Sequence, residues 1–129
     1  MVSSNKSEEF QSPFVTNIKK VLPEWIDYNG HMNVAYYTLA FDDALDDFLD
    51  KIGIGEDYVS EFQNGPYALQ ANYHYLDELM VNEEFRVRIF LVGITEKCFH
   101  AAMEMFNENS GVVSADTTPE FSLNISIAA

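Results

Sequence analysis

Asp27-Tyr28-Asn29-Gly30-His31-Met32-Asn33 runs directly into Val34-Ala35-Tyr36-Tyr37, the opening turn of an amphipathic helix. One short loop thus gathers a carboxylate, two side-chain amides, an imidazole and a row of backbone N–H groups at a helix start. The first N–H groups of a helix have no partner within it, and the aligned peptide dipoles leave partial positive charge there. Such a start can hold an oxyanion developing on a carbonyl group, while a carboxylate just ahead of it can attack or deprotonate. Asn33 is placed to cap the helix, its side chain accepting from N–H groups one turn in.

Working outward, Tyr37, Phe41, Leu45, Phe48 and Ile52 recur at spacings of three and four. The spacing predicts one apolar stripe on a helix from about Val34 to Ile52. Asp42, Asp43, Asp46, Asp47 and Asp50 spread over the other faces, as a solvated surface does, and Gly53 and Gly55 end the helix. Upstream, Phe14 to Leu22 reads as a first strand stopped by Pro23. Residues 1–11 are polar and Ser-rich and read as a flexible tail ahead of one domain, 12–129.

Downstream, Glu56 to Pro66 reads as a connection containing a short helix. Four strands then follow: Tyr67–Leu76, Phe85–Val92, Phe99–Phe106 and Val112–Ile127. In the second, Phe85, Val87, Ile89 and Leu91 alternate with Arg86 and Arg88. In the third, Phe99, Ala101, Met103 and Met105 share a face. In the last, Phe121, Leu123, Ile125 and Ile127 alternate with Ser122, Asn124 and Ser126, and Pro119 marks a bulge or an edge. Gly93–Lys97 and Asn107–Gly111 read as hairpin turns. A strand, a long striped helix and four antiparallel strands predict an α+β fold, with one curved antiparallel sheet wrapped around one long central helix.

The chain has 129 residues, 47% of them hydrophobic, with ten Phe and seven Tyr, enough for one core. Its net charge is -14 with seven Lys and Arg. Nucleic acid needs clustered cations, so it is excluded as a partner, and an anionic membrane surface would repel the chain. The longest apolar stretch, Ile89 to Ile94, is too short to span a bilayer. Lys6, Glu8 and Glu9, with no apolar run after them, do not read as a signal peptide. A single cysteine, Cys98, forms no internal disulfide and fits a reducing, cytoplasmic location. No His, Cys or Asp spacing matches a metal site, and no cofactor is implied.

The element order and the loop resemble the hotdog fold, and more narrowly the 4-hydroxybenzoyl-CoA thioesterase-like group of acyl-CoA thioesterases. The resemblance covers nearly the whole chain after the tail. Its strongest part is Asp27 to Asn33 followed by Ala35-Tyr36-Tyr37. It implies that Asp27 is the catalytic carboxylate and that an acyl-CoA is the substrate. It also implies a homodimer whose sheets join edge to edge, with two dimers able to associate, and a site between subunits beneath the helix N-terminus. Sequences with this loop often carry Glu-x-His in the second strand, where Gln70 and Asn72 stand here. An amide can hydrogen-bond but cannot act as acid or base. Some members with this loop act on betainyl thioesters, and the negative charge of this chain suits a cationic acyl group.

The leaving thiol of a thioester has a pKa near 8.5, about that of cysteine, so it departs without strong acid assistance. Asp27 is the candidate nucleophile or general base, and the backbone N–H of Val34 the candidate oxyanion donor. Asn29, His31 and Asn33 are placed to orient water or to hold the loop. Tyr37 lies on the apolar stripe, and Tyr36 faces the acyl group or a partner subunit. Gln70 and Asn72 are candidate substrate contacts. Arg86 and Arg88 share a strand face and form the candidate pair for CoA phosphates, with ion pairing to nearby acids as the competing role. Two other readings stand beside hydrolysis. One is a hotdog hydratase or dehydratase, which uses a His with an acid. The other is a dimer that binds an acyl ligand without chemistry.

Overall fold

The computed structural model of the chain describes residues 13–55, 57, 60, 61, 65–94, 98–117 and 123–128. The tail expected over 1–11 lies outside them. Helix α1 spans Val34–Lys51. Asn33 caps it in extended conformation, its Oδ1 accepting from the Ala35 N–H at 2.9 Å. At the other end Gly53 takes a φ of 87°, a left-handed value that suits glycine and turns the chain out of the helix. The buried face is Tyr37, Ala40, Phe41, Ala44, Leu45, Phe48 and Leu49. It is broader than the expected stripe, adding Ala40, Ala44 and Leu49. Ile52 is 49% exposed and drops out, since it stands past the last turn.

Eight strands are described: β1 Phe14–Val15, β2 Lys19–Lys20, β3 Gly65–Gln70, β4 Tyr73–Tyr75, β5 Glu84–Ile94, β6 Cys98–Asn107, β7 Val113–Thr117 and β8 Leu123–Ala128. A 3₁₀ turn, Pro23–Trp25, precedes the loop. All pairings are antiparallel: β5 lies between β6 and the short β1 and β2, and β6 pairs both β7 and β8. β4 pairs β7, and β3 pairs β8.

Three of the expected strands are divided. The stretch Phe14–Leu22 becomes β1 and β2, because the Thr16 hydroxyl accepts from the Val87 N–H and interrupts the regular ladder. The stretch Tyr67–Leu76 becomes β3 and β4, broken at Ala71 and Asn72. β3 starts at Gly65, so Pro66 belongs to a strand and not to the connection before it. The stretch Val112–Ile127 becomes β7 and β8, which pair different parts of β6, Glu104–Phe106 and Cys98–Ala101. Pro119 and Phe121 lie outside the described residues. β5 also runs through Gly93, absorbing it at a register shift against β6, so no turn begins there. Residues 95–97 lie outside the described residues. The turn after Asn107 is formed, closed by the Gly111 N–H on the Asn107 carbonyl at 2.8 Å.

Phe85, Val87 and Ile89 of β5, Ala101, Met103 and Met105 of β6 and Ala115 of β7 are buried and join the helix face in one core. Tyr73 stacks on Phe41 with centroids 5.1 Å apart, and Phe14 packs on Phe48 at 5.7 Å. Burial of rings of this size is the largest single contribution to such a core. The sheet therefore holds α1 by its apolar face and leaves its N-terminus open beside the 27–33 loop. No helix among the described residues is long and apolar enough to cross a membrane.

Candidate active site

The loop ahead of α1 is fixed by its own backbone. The Asp27 N–H donates to the His31 carbonyl at 2.9 Å, the Gly30 N–H to the Asp27 carbonyl at 3.0 Å, and the Asn33 N–H to the Trp25 carbonyl at 2.8 Å. Gly30 sits at a φ of 84°, which a side chain would strain. The Asp27 carboxylate closes the turn through one oxygen: Oδ1 accepts from the N–H of Asn29 at 2.9 Å and of His31 at 3.4 Å. The other oxygen, Oδ2, accepts no hydrogen bond from the described residues. Asp27 itself is half-buried.

One turn on, the N–H groups of Ala35 and Tyr36 are engaged by the side chain and carbonyl of Asn33. The N–H of Val34, between the cap and these two, meets no acceptor among the described residues. The structure thus brings a carboxylate with an open oxygen and an open N–H donor to the two ends of one seven-residue loop.

The remaining candidates divide. Asn33 is exposed, and its Oδ1 is engaged by the helix cap, so that oxygen holds the loop. Asn29 is exposed and contributes its backbone N–H to Asp27. Tyr36 stacks on Trp25, with centroids 5.5 Å apart and planes 11° from parallel, forming a half-buried aromatic wall beside the loop. Tyr37 is core, as its place on the stripe predicts. Asn72 is half-buried at the break between β3 and β4, and the Gln70 side chain lies outside the described residues. Arg86 and Arg88 take the competing role: Arg86 pairs with Glu108, and Arg88 with Glu104 at 3.0 Å. The Arg88 guanidinium also lies 4.0 Å over the Phe106 ring. By strand alternation both arginines face away from α1, on the far side of the sheet from the loop's helix.

One acid was not legible as part of the site. Glu78 places Oε2 3.2 Å from Nε2 of His31. It is carried on a strap, residues 76–80, held down by the core. The Tyr37 hydroxyl donates to the Asp77 carbonyl at 3.4 Å and accepts from the Leu79 N–H at 3.3 Å, while the Leu79 carbonyl accepts from the Met32 N–H at 3.2 Å. Burial foremost pushes the Tyr37 phenol above its ordinary range; the Leu79 hydrogen bond pulls it down, and the charges of Asp77, Glu78 and Glu83 push it up.

A single antiparallel sheet packed around one long helix defines the hotdog fold. The family model described as the thioesterase-like superfamily matches residues 21–121, and the chain belongs to that family. It is 32% identical over 91 residues to a betainyl-CoA thioesterase of Pseudomonas aeruginosa, covering 70% of this chain and 57% of that protein. Over 127 residues it is 29% identical to an L-carnitine dehydrogenase/betainyl-CoA thioesterase of Rhizobium meliloti, covering 98% of this chain and 25% of that protein. The chain therefore spans between a quarter and somewhat over half the length of these curated relatives. Among solved structures, a Staphylococcus aureus protein in complex with CoA superposes with a TM-score of 0.81 at 22% identity, covering 90% of this chain and 70% of that one. That likeness shows the shared fold.

Proposed function

We propose that the chain hydrolyses acyl-CoA thioesters to a free acid and CoA. The observation that carries this is the split use of the Asp27 carboxylate. Its Oδ1 is held by two loop amides while Oδ2 stays open, close in sequence to the open N–H of Val34. Oδ2 attacks the thioester carbonyl or activates a water that does so, and the Val34 N–H receives the charge that builds on the carbonyl oxygen. The helix start adds its partial positive charge to the same oxygen. No side chain is needed at position 34, so the exposed Val34 is compatible with this role. By family resemblance the working form is a homodimer with the site at the subunit junction, where Gln70 and Asn72 supply amide contacts.

The acyl group we assign is cationic. The matched relatives are named for betainyl-CoA, which carries a quaternary ammonium. The stacked Trp25 and Tyr36 offer ring faces that such a cation favours, and the net charge of -14 attracts it. Arg86 and Arg88 reach CoA phosphates only by exchanging their glutamate partners for them.

A second reading has its own support: the His31–Glu78 pair is the imidazole-with-acid arrangement that a hydratase would use. Thiol release from betainyl-, acetyl-, isobutyryl- and benzoyl-CoA, run beside hydration of crotonyl-CoA, separates the two. Thiol release led by betainyl-CoA is the expected result. Loss of the crotonyl double bond without thiol release would replace hydrolysis with hydration.

A further inference from the structure

A betainyl thioester carries its quaternary ammonium one methylene from the carbonyl that Oδ2 of Asp27 meets in the proposed reaction. Whatever recognises that cation therefore stands beside Asp27. A quaternary ammonium has no N–H to donate, and ring faces are what hold it. Trp25 and Tyr36 stack on each other, so each offers a ligand only its outer face and its edges. The third ring of this loop is Tyr28, which is 97% exposed. It contributes nothing to the core, and its faces are open to a ligand. Its root is nevertheless fixed. The Asn29 N–H donates to Oδ1 of Asp27 at 2.9 Å and the Gly30 N–H to the Asp27 carbonyl at 3.0 Å, so Tyr28 stands inside a turn that the carboxylate itself closes. Residues 28–41 hold no Asp, Glu, Lys or Arg, in a chain with 21 acids. After Asp27, then, the loop and the opening turns of α1 meet a cation with aromatic faces and not with a second carboxylate, while the strap adds Glu78, turned to His31.

We propose that Tyr28 is a specificity-determining residue that lays its ring over the cationic end of the acyl group. This rests on the thioesterase reading and deepens it by assigning the ring that selects the substrate. Successive Cα atoms lie about 3.8 Å apart, and a cation is attracted within about 6 Å of a ring centroid. A ring rooted next to Asp27 therefore covers an ammonium group held one methylene from the carbon under attack. The attraction strengthens as ring and cation shed water against each other. A neutral acyl group of the same shape gains only the apolar contact, so the ring separates the two by charge and not by size. The ring takes no part in bond making or bond breaking.

The test uses the full chain and two thioesters of one shape, betainyl-CoA and tert-butylacetyl-CoA, in which a tert-butyl group replaces the trimethylammonium group without its charge. Thiol release gives kcat/KM for both with the parent, Tyr28→Phe and Tyr28→Leu. The parent is expected to favour betainyl-CoA. Tyr28→Leu, which keeps apolar bulk without a ring face, is expected to lower the betainyl-to-tert-butylacetyl ratio about 5- to 30-fold, and Tyr28→Phe to keep most of it. A ratio unchanged in Tyr28→Leu overturns the proposal, and both rates falling together with a smaller sedimentation coefficient assigns the ring to a contact between copies instead. A parent that takes the neutral thioester as readily as the cationic one also overturns it, while hydrolysis stands. A parent that releases no thiol from either removes the thioesterase reading, and calorimetric binding of betaine against tert-butylacetate to the parent and Tyr28→Leu then decides alone whether the ring selects the cation.

Discussion

At position 27 the two oxygens of one carboxylate have different surroundings, and the same economy recurs at Tyr37. Its ring fills the core while its hydroxyl bonds two backbone groups of the strap. Tyr37→Phe leaves the Leu79 N–H buried without that acceptor, at a cost of about 1–3 kcal/mol measurable by urea unfolding. The raised phenol pKa gives this a pH signature. Below about pH 10 both folded and unfolded chains keep the proton; above it the unfolded chain ionises first, so stability falls as pH rises toward the folded value. Tyr73, also raised chiefly by burial, and next by the charge of Asp42, acts in the same direction. Unfolding curves collected from pH 8 to about 11 should therefore decline more gently for Tyr37→Phe than for the parent. An equal slope would mean that the buried phenol does not govern alkaline stability.

Among the elements, α1 shows what a sequence can and cannot announce. Its bounds and its cap were legible because they depend on local periodicity and on one side chain, Asn33. Asn33→Ala should cost about 1 kcal/mol in thermal or urea unfolding, and Asn33→Asp should recover most of it. The acidic face was legible too. Burial first, then the charges of Asp42, Asp43 and Asp47, raise the Asp46 pKa, so its ionisation opposes folding as pH climbs from the ordinary carboxylate value toward the folded one. At neutral pH Asp46→Asn should stabilise slightly, by a few tenths of a kcal/mol, and less in high salt, a dependence that a Tm series resolves. β5 and β6 were legible because each is an unbroken alternation. The division of the other three strands was not, since the Thr16 hydroxyl meets Val87 across 71 positions and two separate strands share β6. The Glu78–His31 pairing was hidden for a related reason: no spacing links a strap acid to a loop histidine until the core holds the strap in place.

For the molecule as a whole, the charge of -14 surrounds a site that, on the proposed function, takes polyanionic CoA. Raising ionic strength from about 0.01 M to 0.15 M shortens the Debye length from about 30 Å to 8 Å. KM for an acyl-CoA should accordingly fall several-fold over that range while kcat changes little; a KM independent of salt would show that local contacts outweigh the overall field. The central claim is that the loop which starts the helix is a thioester-cleaving site with Asp27 as its reactive group. Its most direct test is thiol release from betainyl-CoA by the parent and by Asp27→Asn, whose side-chain oxygen can still accept from the Asn29 and His31 N–H groups and so keep the loop. The account predicts turnover in the parent and a loss of at least about 100-fold in kcat with an unchanged Tm in the variant. A folded Asp27→Asn protein that releases thiol at the parent rate would contradict it.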